Sequence, residues 1–213
     1  MKISPNYTSE TFTNLNLTEH SSDEDWKTAV EIFNDRYSSR FINPIKALMS
    51  NDDSRIWEYS GFAIMTINCL LIETLNQFYY GVRETKDLKK DKNVPHINSI
   101  EDAFVDFLGK RNFFKIPAKE AKLFYLQVRN GLVHQAETKK SSKIHIQSSQ
   151  PEIIKIVSSG NVNEGVSIRR DLFTTALLNE YDEYKKKLLD KPIDKPLRKN
   201  FIQKMGFICD DQN

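Results

Sequence analysis

Residues 129–134 read Arg-Asn-Gly-Leu-Val-His, a set whose side chains suit proton transfer beside a phosphate group. His134 can take or give a proton near neutral pH. Arg129 offers phosphate oxygens a fixed fork of donors and keeps its charge. Asn130 can orient an imidazole or hold a phosphate oxygen. RNA carries its own nucleophile, the 2′-hydroxyl. Its cleavage therefore needs a base for that proton, a cation for the charge developing on phosphorus, and an acid for the leaving 5′-oxygen. DNA lacks the hydroxyl and would resist, and no metal is required. Gly131 is the odd member, since glycine weakens a helix by about 1 kcal/mol relative to alanine.

The stretch sits inside KEAKLFYLQVRNGLVHQAETKK, a helical pattern that Pro117 opens. At about 100° per residue, Phe124, Tyr125, Val128, Leu132 and Ala136 gather on one side as a core face. Roughly opposite lie Asn130, His134 and Gln127, flanked by Leu123, Leu126 and Val133. A polar centre bordered by apolar residues, turned away from the core, reads as an interface. Asn130 and His134 are four residues apart and share a face. Arg129 and His134 are five apart, about 140° around the axis and about 7.5 Å along it, so one helix does not make a compact site. A second copy across a two-fold axis would bring the groups together.

The elements that position this helix are mostly helical. Residues 1–21 show no sustained period and read as a flexible arm. From Ser22, cap residues, early acids and Trp26, Val30, Phe33, Tyr37 and Phe41 at steps of three and four mark a helix that should break at Pro44, where a short second segment starts with the proline in its first turn. A long apolar helix over 54–80, ended by Gly81, is the central one. A charged loop follows, then a short helix over 100–110 that Gly109 would terminate. After the Arg-Asn helix the period turns alternating: KIHIQ, EIIKIV and GVSIRR predict a small antiparallel sheet within about 141–169. A helix capped by Asp171 closes a domain spanning 22–190, and 191–213 forms a C-terminal tail.

Composition narrows the function classes. The 213 residues suit one sizeable domain, and a net charge of +2 gives no global basic field, so any nucleic-acid contact is local. Two cysteines make neither a disulfide framework nor a zinc set, His20, His96 and His145 do not group, and no cofactor is implied. No secretory leader is visible, and the cytoplasm fits best. The apolar run from Gly61 to Val82 is long enough for a bilayer but is interrupted by Asn68, Glu73, Asn76 and Gln77, which favours a buried helix over a membrane span.

Arg129, Asn130, three residues and His134, on the penultimate long helix of a mainly α-helical chain after the apolar phrase LLIETLNQFYYG, resemble the R-N-x-x-x-H form of the HEPN signature. The resemblance covers about residues 24–190, excluding the strands. It implies an antiparallel helical bundle, a homodimer through the motif helix, and a metal-independent endoribonuclease of bacterial defence or toxin–antitoxin systems, with RNA as substrate and an antitoxin or defence protein as partner. Arg129, His134 and Asn130 would be catalytic. In many such proteins a polar residue on the earlier long helix supports the pair. Glu73 is the candidate here, because a buried carboxylate needs a partner and Arg129 is the natural one. One departure concerns regulation: toxins paired with nucleotidyltransferase antitoxins often carry, two positions after the histidine, a tyrosine that receives AMP, and Ala136 stands there. Lys139, Lys140 and Lys143, just past the motif, would guide an RNA backbone. Two alternatives stay open: a non-catalytic module binding RNA, a nucleotide or a protein, and a helical dimeric interaction protein.

Overall fold

The computed structural model describes residues 1–90, 96–146, 149–159 and 163–210. Parts of the charged loop (91–95), Gln147 of the first expected strand, the 160–162 turn and the last three residues lie outside these. The chain is mainly helical with one small sheet: α1 (Ser9–Thr13), α2 (Asp23–Tyr37), α3 (Asn43–Met49), α4 (Ser54–Tyr59), α5 (Gly61–Tyr80), α6 (Ile100–Lys110), α7 (Ala118–Leu123), α8 (Asn130–Gln135), β1 (Lys143–His145), β2 (Ile154–Ser159), β3 (Asn163–Arg169), α9 (Arg170–Leu189) and α10 (Lys195–Asp210). Among the described residues no helix is long and apolar enough to cross a membrane.

Ser22 caps α2 in a reciprocal box with Asp25. As expected, a short second helix starts with Pro44 in its first turn, but the first α-helix ends earlier, at Tyr37. Residues Ser38–Ile42 instead widen into a π turn, and the proline falls in the first turn of α3, where its missing N–H costs nothing. The single helix expected over 54–80 is two. Ser60 leaves helical geometry with ψ near 0°, and the buried Arg170 guanidinium donates to the Trp57 carbonyl at 3.0 Å, taking over a helix-end acceptor. Gly81 then ends α5 in a left-handed conformation. Gly109 lies within α6, which stops at Arg111 because that residue turns extended and stacks its guanidinium 3.5 Å from the Tyr79 ring centre. Asp171 is not a cap: it lies inside the first turn of α9 and accepts from Arg169.

The core is aromatic. Phe33 of α2 stacks on Tyr181 of α9 at 5.3 Å and meets Phe78 of α5 edge-on at 4.9 Å, and Phe201 of α10 closes the cluster at 5.8 Å. Helix α5 is wrapped by α6, α8, α9 and α10.

Both chain ends depart from the expected arm and tail. Ile3 is fully buried, Asp35 accepts from Ser4 Oγ at 2.7 Å and Asn6 N at 3.0 Å, and Phe12 meets Phe201 at 6.3 Å. Helix α10 buries Leu197, Phe201 and Met205. Arg198 ties the two ends: fully buried, it donates to the carbonyls of Leu188 and Glu19 and lies 4.3 Å over the Trp26 ring. The arm shows no period because short turns and side-chain bonds hold it, rather than a helix face.

The strands run in the order β1-β3-β2, with β2 antiparallel to β3 but β1 parallel to it. The wholly antiparallel sheet expected from three alternating stretches is therefore corrected to a mixed one. The connection after β1 crosses the end of β3, where Arg169 N donates to Ile153 O at 3.0 Å and Gln150 Nε2 to Ser167 O at 3.2 Å. That route places Ile144 beside buried Ile168 on the core side.

The segment ahead of α6 is pinned by Asp106, whose carboxylate is almost wholly enclosed and accepts from Tyr80 Oη at 2.5 Å, His96 Nε2 at 2.7 Å and Lys110 Nζ at 2.5 Å. Burial pushes this acid up, but Lys110, Tyr80 and His96 together outweigh it and hold the carboxyl below its usual range. Its stabilisation is thus complete above the unfolded value near pH 4 and is lost as pH falls through the depressed folded value. Asp106→Asn should lose about 1–3 kcal/mol at neutral pH and show a shallower acid limb in urea unfolding between about pH 5 and 2; parallel limbs for both proteins would refute the linkage.

Candidate active site

The motif helix is not one regular helix. After α7, residues Phe124–Arg129 form a π turn, and α8 resumes at Asn130. Such single-turn widenings shift the face that each following residue presents, and they recur at functional sites.

The shift re-sorts the wheel. Gln127, expected on the outer polar face, is buried; its amide donates to Glu164 O at 2.8 Å and accepts from Ser142 Oγ at 2.7 Å. It fastens the helix to the sheet. Tyr125, expected in the core, is half-buried beside the guanidinium of Arg129, whose carbon lies 5.6 Å from the ring centre. Burial raises the Tyr125 hydroxyl's pKa, against the opposing pull of Arg129 and Asn130. A uniform 100° step could not have found either placement.

Arg129 and Glu73 meet as expected. Arg129 Nε and Nη2 donate to Glu73 Oε1 at 3.0 and 2.5 Å, and Nη1 donates to Asn130 Oδ1 at 3.1 Å. Both charged side chains are largely but not fully enclosed, at 14% and 19% exposed. Of the five guanidinium N–H groups, these bonds use three and leave one on each terminal nitrogen. That remainder is a fork for an oxyanion. Cys69, one turn back on α5, is buried and its thiol is pushed up mainly by burial, so it stays protonated.

His134 is brought to the same end of the molecule but not into the cluster. It is exposed in the last turn of α8 and makes no hydrogen bond or ion pair with the described residues. The lysines also separate: Lys139 is half-buried, with its backbone N–H bonded to Gln127 O at 2.8 Å, Lys140 is an exposed turn residue, and Lys143 lies on β1. Among the described residues no group of three or more His, Cys, Asp or Glu could hold a metal ion.

Gly131 has a steric cause. After Ala136 takes a left-handed conformation (φ 54°), the chain folds back over α8, and a side-chain carbon at Gly131 would fall on the Glu137 carbonyl oxygen and 3.3 Å from Lys139 N. The glycine makes room for the return that leads to β1. At Ala136 a larger side chain such as tyrosine would share the left-handed strain.

Around the ion pair runs an apolar border. Phe62 and Leu70 of α5 and Leu126 and Val133 of the motif helix are each between 37% and 45% exposed. Leu70 is one turn from Glu73 on α5 and Val133 one turn from Arg129 on the motif helix, so these two flank the ion pair, while Phe62 lies about three turns from Glu73 along α5.

Glu73→Gln leaves the Arg129 charge short of a partner in a largely enclosed site and should cost about 1–3 kcal/mol in urea unfolding; an unchanged midpoint would make the pair a spectator. Gly131→Ala should destabilise by about 1–3 kcal/mol through crowding, although alanine is the better helix former; a stabilised variant would refute the close-approach account. Comparison of the chain with protein-family models, with curated proteins and with solved structures finds no match.

Proposed function

We propose that the chain is a metal-independent endoribonuclease of HEPN type, acting as a homodimer in bacterial defence or as a toxin. The observation that carries this reading is Arg129: Glu73 and Asn130 fix its guanidinium while, among the described residues, two of its N–H groups have no acceptor and could take a phosphate, and His134, also without a partner among them, lies further along the same helix. The apolar border supports a second copy at this surface, since exposed apolar residues around a polar centre are what a self-complementary contact requires.

In the proposed reaction, a His134 imidazole removes the 2′-hydroxyl proton and that oxygen attacks the adjacent phosphorus. Arg129 binds the non-bridging oxygens as negative charge grows on them. The phosphorus–5′-oxygen bond breaks, and the His134 of the second copy protonates the departing 5′-oxygen. The products are a 2′,3′-cyclic phosphate and a free 5′-hydroxyl. Lys139, Lys140 and Lys143 would steer the strand. A non-catalytic binding module is the second reading, favoured by one observation: no group among the described residues orients the His134 ring, as general bases usually require.

The test is cleavage of a mixed RNA pool in EDTA by wild type, Arg129→Ala and His134→Ala, matched for folding and oligomeric state. Wild type should leave 2′,3′-cyclic phosphate ends and both variants should fall by about 100-fold or more. Equal activity in all three would overturn the mechanism, and RNA binding without cleavage by wild type would select the second reading.

A further inference from the structure

The small sheet has one face against the body and one open. Ile144, Ile154, Val166 and Ile168 turn inward, with Val166 and Ile168 fully buried. The alternate residues share the other face: Lys143 and Lys155 both register on Ser167, His145 on Arg169, and Val157 on Gly165. This face is hollow. A concavity of about 380 Å³ is lined by Ser141, Lys143, His145, Val157, Ser158 and Ser167.

The hollow's wall is built into the backbone. A side-chain carbon at Gly165 would lie 2.6 Å from the Ser141 carbonyl carbon and 2.8 Å from Ser142 N, so only glycine lets the 141–142 segment close against β3. Thr138 Oγ1 donates to Ser142 O at 2.7 Å, and Val166 N donates to Ser142 Oγ at 3.0 Å, fixing that segment from both sides. The pocket therefore exists before any ligand arrives.

Its charge is uncompensated. Lys143, Lys155 and His145 have no ion-pair partner among the described residues, nor do the hydroxyls of Ser141 and Ser167 have a hydrogen-bond partner there. Acids on the flanking strand and helix are already engaged: Glu164 binds Lys119 at 2.8 Å and Asp171 binds Arg169 at 2.5 Å. A cation, hydroxyl donors and an imidazole around an apolar Val157 match a phosphate joined to a flat ring system. The volume falls within the range of small-molecule clefts and exceeds what a lone phosphate fills.

We infer that the open face of the sheet is a mononucleotide-binding site, with Lys143, Ser141 and Ser167 taking the phosphate and Val157 lying under the base. The site is separate from the Arg129 cluster and does not depend on the nuclease reading.

Isothermal calorimetry on the full chain, with AMP, adenosine and inorganic phosphate as probes, tests it in wild type, Lys143→Gln, His145→Ala and Arg129→Ala. Lys143 is exposed, so its replacement leaves folding intact. AMP should bind wild type at least ten-fold more tightly than either phosphate or adenosine. Lys143→Gln should weaken AMP at least ten-fold, His145→Ala should weaken it too, and Arg129→Ala should leave it unchanged. Absence of AMP binding, phosphate binding as tight as AMP, unaltered affinity in Lys143→Gln, or loss in Arg129→Ala would each overturn the assignment.

Discussion

Helix α5 packs against several neighbouring helices, and each of its four amide or carboxylate side chains makes a hydrogen bond to a different element. Asn68 donates to Thr174 Oγ1 at 2.9 Å on α9, Asn76 to the Ala103 carbonyl at 3.0 Å on α6, Gln77 to Thr85 Oγ1 at 3.0 Å in the following turn, and Glu73 accepts from Arg129 on the motif helix. Each bond names a different neighbour. Apolar packing alone would let those helices slide or rotate at small cost, whereas a displaced partner here strands a buried amide or carboxylate at about 1–3 kcal/mol or more. The polar interruptions that argue against a membrane span are thus what fixes where the surrounding elements sit.

The Glu73–Arg129 bond differs from the other three in being ionic, and it is partly open. Its worth to stability is modest, because desolvation offsets much of the attraction. Its worth to chemistry is geometric. Arginine loses side-chain freedom when it grips a phosphate, and a guanidinium already held at Nε, Nη1 and Nη2 has lost that freedom before the ligand arrives. The free N–H on each terminal nitrogen then points from a fixed frame.

What the sequence disclosed follows periodicity and the need to satisfy charge. The helical order, the left-handed stop at Gly81, and the partnership of Glu73 with Arg129 across 56 positions all come from those two rules. What stayed hidden came from local exceptions to them. A π turn leaves no mark in composition, so Gln127 and Tyr125 change places relative to a uniform wheel. Strand alternation shows that Lys143–His145 is a strand but says nothing of its direction, and β1 runs parallel to β3. The N-terminal end was opaque because Ile3 and Phe12 fasten it singly, whereas α10 buries a stripe of Leu197, Phe201 and Met205 behind the two prolines that made its segment read as a tail. Gly131 carried a visible signal whose cause was not visible: the glycine answers to the backbone at Glu137 and Lys139, and the chemistry gathers on its neighbours.

The same return of the chain links the two sites. The π turn brings Gln127 inward, where its backbone carbonyl accepts from Lys139 N and its side-chain amide donates to Glu164 O and accepts from Ser142 Oγ. One residue on the motif helix thereby anchors the segment that walls the sheet's hollow, and two residues later Arg129 reaches Glu73. The wall of the hollow and the backbone that carries Arg129 therefore rest on one turn of helix, while the guanidinium itself is held by Glu73 and Asn130 and takes no part in the wall.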